Sequence, residues 1–122
     1  MPRGQSNFAE CITLDEVMPN DEIVRVKTGN GTIYDFCIIN AEEGRVALHR
    51  MGGRDYKPEC CTFFNRDGYG RVIISTYLPF FYRGSHGENV ASPPPEKIEI
   101  IKDPVMVQDL RIKVGLQEVH KQ

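Results

Sequence analysis

The stretch from Glu22 to Gly53, EIVRVKTGNGTIYDFCIINAEEGRVALHRMGG, decides the fold. It contains three runs rich in apolar and β-branched residues, separated by Gly29-Asn30-Gly31 and by residues 40–44. Glycine and asparagine tolerate the positive φ angles of tight hairpin turns, so both separators predict turns. The stretch is therefore predicted to form a β-meander of three antiparallel strands.

The side chains of the meander alternate between two faces. Val24 and Val26 share one face of the first run, and Arg25 and Lys27 share the other. The middle run, residues 33–40, is apolar on most of both faces, which is typical of a central strand or of a strand that lines a barrel. Its one carboxylate, Asp35, is expected to pair across strands with Arg25, Lys27 or Arg45.

The rest of the chain predicts more short strands. Residues 60–64 and 71–78 are predicted to form a hairpin around Asp67-Gly68, because Asp-Gly between β-formers is a strong turn signal. Residues 97–102 are predicted to form a further strand. The expected fold is all-β: a small antiparallel barrel, SH3-like or similar, with about five to seven short strands and little helix.

Both ends of the chain are less clear. Residues 8–18 fit either a helical turn or a short strand. Asp103 and Pro104 could begin a helix as N-cap and first residue. Leu110, Ile112, Val114 and Leu116, however, alternate with other residues, so a strand is favoured for the tail. We expect a single domain, residues 1–122, with 1–10 loosely ordered, 22–102 as the barrel core and 103–122 as a C-terminal extension.

Composition is that of a globular protein, with 122 residues, 40% of them hydrophobic and 26% charged. No apolar run approaches the roughly 20 residues that span a bilayer, and no secretory signal is visible at the N-terminus. A cytoplasmic location is therefore expected. In that compartment all four cysteines, Cys11, Cys37, Cys60 and Cys61, are expected to be free thiols.

The turn motifs resemble those of small uncharacterised bacterial β-barrel-like proteins. These carry a Thr-x-Asn turn, here Thr28-Gly29-Asn30, then an aromatic strand, here Tyr34-Asp35-Phe36. A Gly-Gly step before an aromatic-Pro connection corresponds to residues 52–58, and a Ser-Pro step into a last strand to residues 92–101. The match covers residues 23–101, and the chain departs from the pattern by one extra residue before Tyr34 and by the cysteine pair. The resemblance implies the barrel and no known activity.

Charge is unevenly distributed. Residues 45–83 hold seven basic and three acidic side chains, although the whole chain carries a formal charge of −2. Phe80, Phe81 and Tyr82 form the densest aromatic run, and these rings are expected to make an exposed apolar patch. The candidate binding residues are Arg45, His49, Arg54, Phe80, Phe81, Tyr82 and Arg83.

These features predict a non-enzymatic interaction or ligand-binding module with an unidentified protein partner. Exposed edge strands associate readily, which favours a homo-oligomer that uses residues 104–120 as a second kind of partner. The first alternative is binding of single-stranded nucleic acid (RNA) through the basic and aromatic segment 45–83. It requires five arginines to converge on one face, namely Arg45, Arg50, Arg54, Arg66 and Arg71. The acidic overall charge opposes this alternative.

A second alternative is a small hydrolase-like or metal-dependent enzyme that uses Cys and His. It requires His49 or His86 within hydrogen-bond reach of a cysteine or serine. Ser85, His86 and Glu88 have suitable side chains, but neighbours in one loop do not form a triad. Cys60-Cys61 lacks the spacing of a zinc site. We therefore predict no enzymatic activity, no cofactor, no metal and no membrane partner.

Overall fold

The part of the chain that the structure describes forms ten β-strands and one α-helix. The structure, a computed structural model, describes residues 5–52 and 56–116. The elements are β1 (Gln5–Ala9), β2 (Cys11–Thr13), β3 (Glu22–Thr28), β4 (Ile33–Asn40), β5 (Arg45–Met51), β6 (Glu59–Phe63), β7 (Ile73–Ser75), β8 (Phe80–Arg83), β9 (Asn89–Ser92), β10 (Pro95–Lys102) and α1 (Pro104–Lys113). Eight strands form one antiparallel sheet in the order β1-β10-β3-β4-β5-β6-β8-β9, while β2 pairs with β7. The predicted all-β antiparallel fold is confirmed, with more strands than the five to seven expected.

The predicted meander is present as β3, β4 and β5, which are neighbours in the sheet. Val26 lies opposite Tyr34, and Phe36 lies opposite Leu48. β4 is buried on both faces from Tyr34 to Ile38, because it has neighbours on both sides and covering layers above and below. The prediction of a central strand is confirmed.

The first glycine turn of the meander meets the glycine that follows its last strand. Gly31 (φ +90°) and Gly52 (φ +105°) have the left-handed backbone conformation that residues with a Cβ atom avoid. A Cβ atom at Gly52 would also collide with the carbonyl oxygen of Gly31. Thr28 closes the first turn by donating its backbone N–H to the carbonyl oxygen of Thr32 at 2.9 Å. Backbone geometry therefore explains these glycines without a ligand.

The predicted turn around Asp67-Gly68 is present, with an antiparallel bridge between Arg66 and Val72, but the predicted pairing of the strands 60–64 and 71–78 is wrong. β6 pairs with β5 and β8, and β7 pairs with β2 in the small sheet. The side chain of Asn65 explains the difference: its Nδ2 donates to the carbonyl oxygen of Pro79 at 3.0 Å, and its Oδ1 accepts from the N–H of Phe81 at 3.1 Å. These two bonds hold β8 beside β6, in the place that the hairpin would assign to residues 71–78.

The eight-stranded sheet does not close into a barrel. Its two ends are β1 and β9, and within the described residues these strands do not pair with each other. The closed SH3-like barrel is therefore not confirmed, and the sheet keeps two edges. β1 itself also corrects the expectation that residues 1–10 are loosely ordered, because residues 5–9 pair with β10. Residues 1–4 lie outside the described range.

Each face of the large sheet carries its own hydrophobic core. We call the face under β2 and β7 the inner face. It holds the larger core, to which β4 contributes Tyr34, Phe36 and Ile38. The outer face holds a smaller core formed by six residues: Ile23, Cys37, Ala47, Ile101, Val107 and Leu110. Because α1 covers only one part of the outer face, the β6-β8-β9 end of that face and Arg45 at the start of β5 stay exposed.

The tail is a helix, so the favoured strand is wrong for residues 104–113. The carboxylate of Asp103 accepts the backbone N–H of Met106 at 3.2 Å, and Pro104 occupies the first helical turn. Val107 and Leu110 pack against the sheet. The alternation of apolar residues in the tail does not mark a buried face of a strand, because Ile112, one of the alternating residues, is 56% exposed on the helix. The undecided segment 8–18 forms the end of β1, then β2 and a 3-10 turn at Leu14–Glu16.

Candidate functional site

The structure brings together three of the seven predicted binding residues. Arg45, Phe81 and Arg83 lie on the exposed part of the outer face, on β5 and β8. His49 lies on the outer face of β5 near the other end of the strand, where its register partner on β4 is Asp35. Arg54 lies outside the described residues. The remaining two, Phe80 and Tyr82, are on the inner face.

The predicted exposed patch of three adjacent rings is wrong. Phe80 and Tyr82 are each 1% exposed, whereas Phe81 between them is 45% exposed. Successive side chains of a strand point to opposite faces, so a run of three aromatic residues cannot share one surface. The ring of Phe80 packs edge-on against Tyr34 with centroids 5.1 Å apart, and burial raises the pKa of Tyr82. These two rings belong to the core.

Arg45 and Arg83 flank one residue of the strand between them. Thr62 on β6 lies opposite Arg45 of β5 and opposite Arg83 of β8. Adjacent strands are about 4.8 Å apart, so the backbones of Arg45 and Arg83 are about 10 Å apart, and the two side chains can contact neighbouring acidic groups of one segment. A groove of about 380 Å³ runs along this row, lined by Glu43, Arg45, Cys60, Cys61, Thr62, Arg83, Gly84 and Ser85.

Neither arginine is neutralised by the described part of the chain. Within residues 5–52 and 56–116, neither Arg45 nor Arg83 forms an ion pair. Arg83 donates from Nε to Oδ1 of Asn89 at a long 3.4 Å. The nearby carboxylate of Glu59 is already engaged, because its Oε1 accepts the N–H of Ser85 at 2.9 Å and the hydroxyl of Ser85 at 2.8 Å. The two cations are therefore available to an anion in solution.

Two exposed phenylalanines extend this surface. Phe64 is 43% exposed and Phe81 is 45% exposed, and the backbone N–H of Phe64 donates to the carbonyl oxygen of Phe81 at 3.1 Å. The guanidinium of Arg83 lies 5.4 Å from the centre of the Phe64 ring. A second groove, of about 210 Å³, is lined by Phe64, Phe81, Tyr82, Asn89, Val90 and Ala91. We call Arg45, Thr62, Phe64, Phe81 and Arg83 the arginine–phenylalanine face.

Sequence reasoning did not select Thr62 and Phe64 as binding residues. The signal that finds them is the strand period applied to residues 59–64: Cys61 and Phe63 are buried, so Thr62 and Phe64 point outward. The alternation is visible in the sequence. Which of the two alternating sets points outward is not, because both sets contain residues that suit a strand. The pairing with β5 and β8 fixes the phase.

His49 belongs to a different part of the outer face, where charges are compensated. Glu99, Arg25, Asp35 and His49 are register partners across β10, β3, β4 and β5. Arg25 donates to both carboxylate oxygens of Asp35, at 2.8 and 2.9 Å, which confirms the expected cross-strand pair. The hydrogen bond to Asp35 raises the pKa of Arg25. Asp35, the carboxylate next to His49, is therefore already paired with Arg25.

The four described arginines of the nucleic-acid alternative do not converge on one face. Arg50 lies on the inner face of β5, opposite to Arg45, with its guanidinium 4.3 Å from the Tyr56 ring. Arg66 donates to the carbonyl oxygens of Gly70 and Glu42, and Arg71 forms an ion pair with Asp67 at 3.0 Å. Arg54 is not described. The geometric condition set for this alternative is therefore not met by the four described arginines.

The serine, histidine and glutamate of the 84–88 loop do not form a catalytic arrangement. The hydroxyl of Ser85 donates to Glu59, while Glu88 accepts the backbone N–H of His86 at 3.2 Å. Among the residues that the structure describes, no group of three or more His, Cys, Asp or Glu side chains is placed to hold a metal ion. These contacts hold the loop, and they pair the hydroxyl of Ser85 with a carboxylate rather than with His86.

All four cysteines are free thiols, as predicted, and they differ in burial. Burial raises the pKa of Cys37, with Arg111 opposing the effect, and burial also raises the pKa of Cys61.

At about pH 8, iodoacetamide should modify exposed Cys11 first and half-buried Cys60 more slowly, because the thiolate is the reactive form. Cys37 and Cys61 should react only after unfolding. Peptide mass mapping over time measures this order, and rapid modification of Cys37 in the folded protein would contradict the described core.

Comparisons with known proteins found no match. No protein-family model matches the chain, and neither a search of curated proteins nor a search of solved structures found a similar protein. The resemblance to small bacterial proteins stays a prediction. No helix among the described residues is both long and apolar enough to cross a membrane.

Proposed function

We propose that this protein is a non-enzymatic interaction module that binds an acidic segment of a partner protein on its arginine–phenylalanine face. The observation that supports this function is the pair of arginines on either side of Thr62, neither of them in an ion pair with a described residue. Guanidinium groups bind carboxylates through two parallel hydrogen bonds. Phe64 and Phe81 add apolar area beside this charge, and arginine and aromatic residues are enriched where binding energy concentrates.

A short acidic segment fits this face better than a long polyanion. RNA binding draws its affinity from many phosphate contacts. Among the described residues, two arginines lie on the arginine–phenylalanine face, and Glu43 also lines the groove. One or two carboxylates need no more than that. The proposal includes the cytoplasmic location predicted from the sequence, where free thiols are stable. The homo-oligomer remains a prediction. The apolar side of α1 already packs on the sheet of its own chain.

Fluorescence anisotropy with a labelled glutamate-rich peptide tests this function. Arg45→Ala with Arg83→Ala should weaken binding at least about tenfold, because each removes a charged hydrogen-bond donor. The matched control is Lys27→Ala with Lys102→Ala, which removes the same charge from exposed positions on β3 and β10 and should bind like the wild type. Raising the salt concentration should also weaken binding.

Two results would overturn the proposal. One is an equal loss of affinity in the double-arginine variant and in the double-lysine variant, which would show that binding depends on net charge and not on the arginine positions. The other is tighter binding of a single-stranded oligouridine than of the glutamate-rich peptide at the same low salt, which would assign the face to nucleic acid. A lysine-rich peptide serves as the negative control, and it should not bind.

A further inference from the structure

The edge of the large sheet beside the arginine–phenylalanine face is open. β9 is the last strand in the sheet order, and it has one neighbour, β8, within the described residues. Edge strands carry a row of backbone N–H and C=O groups without sheet partners, and an extended peptide can pair with them. Pro93 and Pro94 follow β9 directly, and they have no N–H to offer. Any pairing is therefore confined to Asn89–Ser92.

The hydrogen-bond pattern of the hairpin identifies the free backbone groups. Gly84 donates its N–H to the carbonyl oxygen of Glu88 at 2.8 Å, so these two residues form a hydrogen-bonded pair. Hydrogen-bonded and non-bonded pairs alternate along antiparallel strands. Counting from Gly84, Val90 bonds to Tyr82, whereas Asn89 and Ala91 direct their N–H and C=O groups away from β8. Asn89 and Ala91 are both exposed.

The side chains next to these groups lie on the arginine–phenylalanine face. Ala91 lies opposite Phe81, and Asn89 lies opposite Arg83, all four of them pointing outward. The 210 Å³ groove opens between Phe64, Phe81 and Ala91. The guanidinium of Arg83 leans toward β9, because its Nε contacts Asn89. A strand added at β9 therefore meets an apolar groove at one position and a cation two residues away.

We propose that the acidic partner segment binds as an added antiparallel strand on β9, with an apolar residue opposite Ala91 and an acidic residue opposite Asn89, next to Arg83. Arg45 lies three strands from β9, so it is left to a further carboxylate of the segment outside the added strand. This inference rests on the proposed function and specifies its binding mode. Side chains two residues apart in a strand share one face. Because the added strand runs opposite to β9, the segment reads apolar-x-acidic in its own direction. Val-Thr-Glu is a simple tripeptide with this pattern.

N-methylated peptides test the binding mode without changing the protein. The valine and the glutamate of the probe face Ala91 and Asn89 and exchange backbone hydrogen bonds with them, while the N–H of the threonine points away. Methylation of the glutamate nitrogen should weaken binding about tenfold, because it removes a hydrogen bond and blocks close approach. The matched control is methylation of the threonine nitrogen, which should leave the affinity unchanged. Fluorescence anisotropy with the serine-flanked Val-Thr-Glu peptide measures all three affinities.

The outcomes separate the binding mode from the function. Equal affinity of all three peptides, with binding still lost in the Arg45→Ala, Arg83→Ala variant, would overturn strand addition and leave the acidic-segment function intact. No binding of any glutamate-containing peptide would overturn both. Hydrogen exchange gives a second readout: the amides of Asn89 and Ala91 should become protected only when the peptide is added. Protection without peptide in a dimeric protein would show that a second copy occupies β9, and it would overturn the assignment to a peptide.

Discussion

Phe80→Ala should lower the free energy of unfolding by about 3–5 kcal/mol, whereas Phe81→Ala should lower it by less than about 1 kcal/mol. The two residues are adjacent on β8 and chemically identical, so the comparison isolates burial. Phe80 contacts the rings of Tyr34, Phe63 and Tyr82 in the inner core. Its removal leaves a cavity that the surrounding strands cannot fill. Removal of the Phe81 ring, at 45% exposure, opens no enclosed space.

Urea denaturation followed by circular dichroism measures both variants against the wild type. The Phe80→Ala variant should also unfold at a clearly lower urea concentration with an unchanged slope, as expected for a loss of stability alone. Equal destabilisation by the two substitutions would contradict the assignment of these rings to opposite faces. The Phe81→Ala variant serves a second purpose, because it should fold normally and bind the acidic peptide more weakly.

Arg25→Ala should destabilise the protein by about 3 kcal/mol, more than Asp35→Ala, because it leaves a buried carboxylate without its partner. The side chain of Asp35 is 6% exposed, whereas that of Arg25 is 39% exposed. Asp35→Ala leaves a guanidinium that can turn to water, so about 1–2 kcal/mol is expected after allowance for solvent screening. The asymmetry follows from the different burial of the two partners.

A double-mutant cycle checks this pair. The combined Arg25→Ala, Asp35→Ala variant should be destabilised less than the sum of the single substitutions, because it leaves no charge unpaired. Chemical denaturation of the four proteins gives the coupling free energy. Strict additivity would contradict a direct bidentate contact. A larger effect for Asp35→Ala than for Arg25→Ala would contradict the burial described for the carboxylate.

Local patterns in the sequence predicted the meander and its central strand. The period of two, the glycine turns and the apolar character of residues 33–40 all depend on neighbours along the chain, so they are visible without the structure. The pairing of Asp35 with Arg25 could be anticipated for the same reason, since β3 and β4 are joined by a tight turn. Hairpin registers are fixed locally.

The remaining fold depends on contacts between distant residues. Asn65 holds β8 beside β6, and nothing in the local pattern of residues 60–78 indicates that a side-chain amide replaces a strand pairing. The helix at residues 104–113 begins at Asp103 and Pro104, signals that the sequence contains, but an accidental alternation further along favoured a strand. The number of strands and the open edge at β9 follow from the same long-range pairings.

The binding face shows which part of a site a single sequence reveals. Charge and aromatic density correctly drew attention to Arg45, Phe81 and Arg83. Adjacency in sequence wrongly grouped Phe80 and Tyr82 with Phe81, because the phase of a strand is set by its partners. For Thr62, between the two arginines, the sequence shows the strand period but not which face it occupies, and the pairing of β6 with β5 and β8 decides the face.

Chemical-shift mapping by NMR tests the central claim most directly, namely that the arginine–phenylalanine face binds an acidic segment. Addition of the serine-flanked Val-Thr-Glu peptide to the isotope-labelled protein should shift the amide signals of Phe81, Arg83, Asn89 and Ala91. The signals of the compensated row around Asp35 and of α1 should stay in place. Shifts confined to that row or to the helix, or no shifts at all at saturating peptide, would contradict the proposed function.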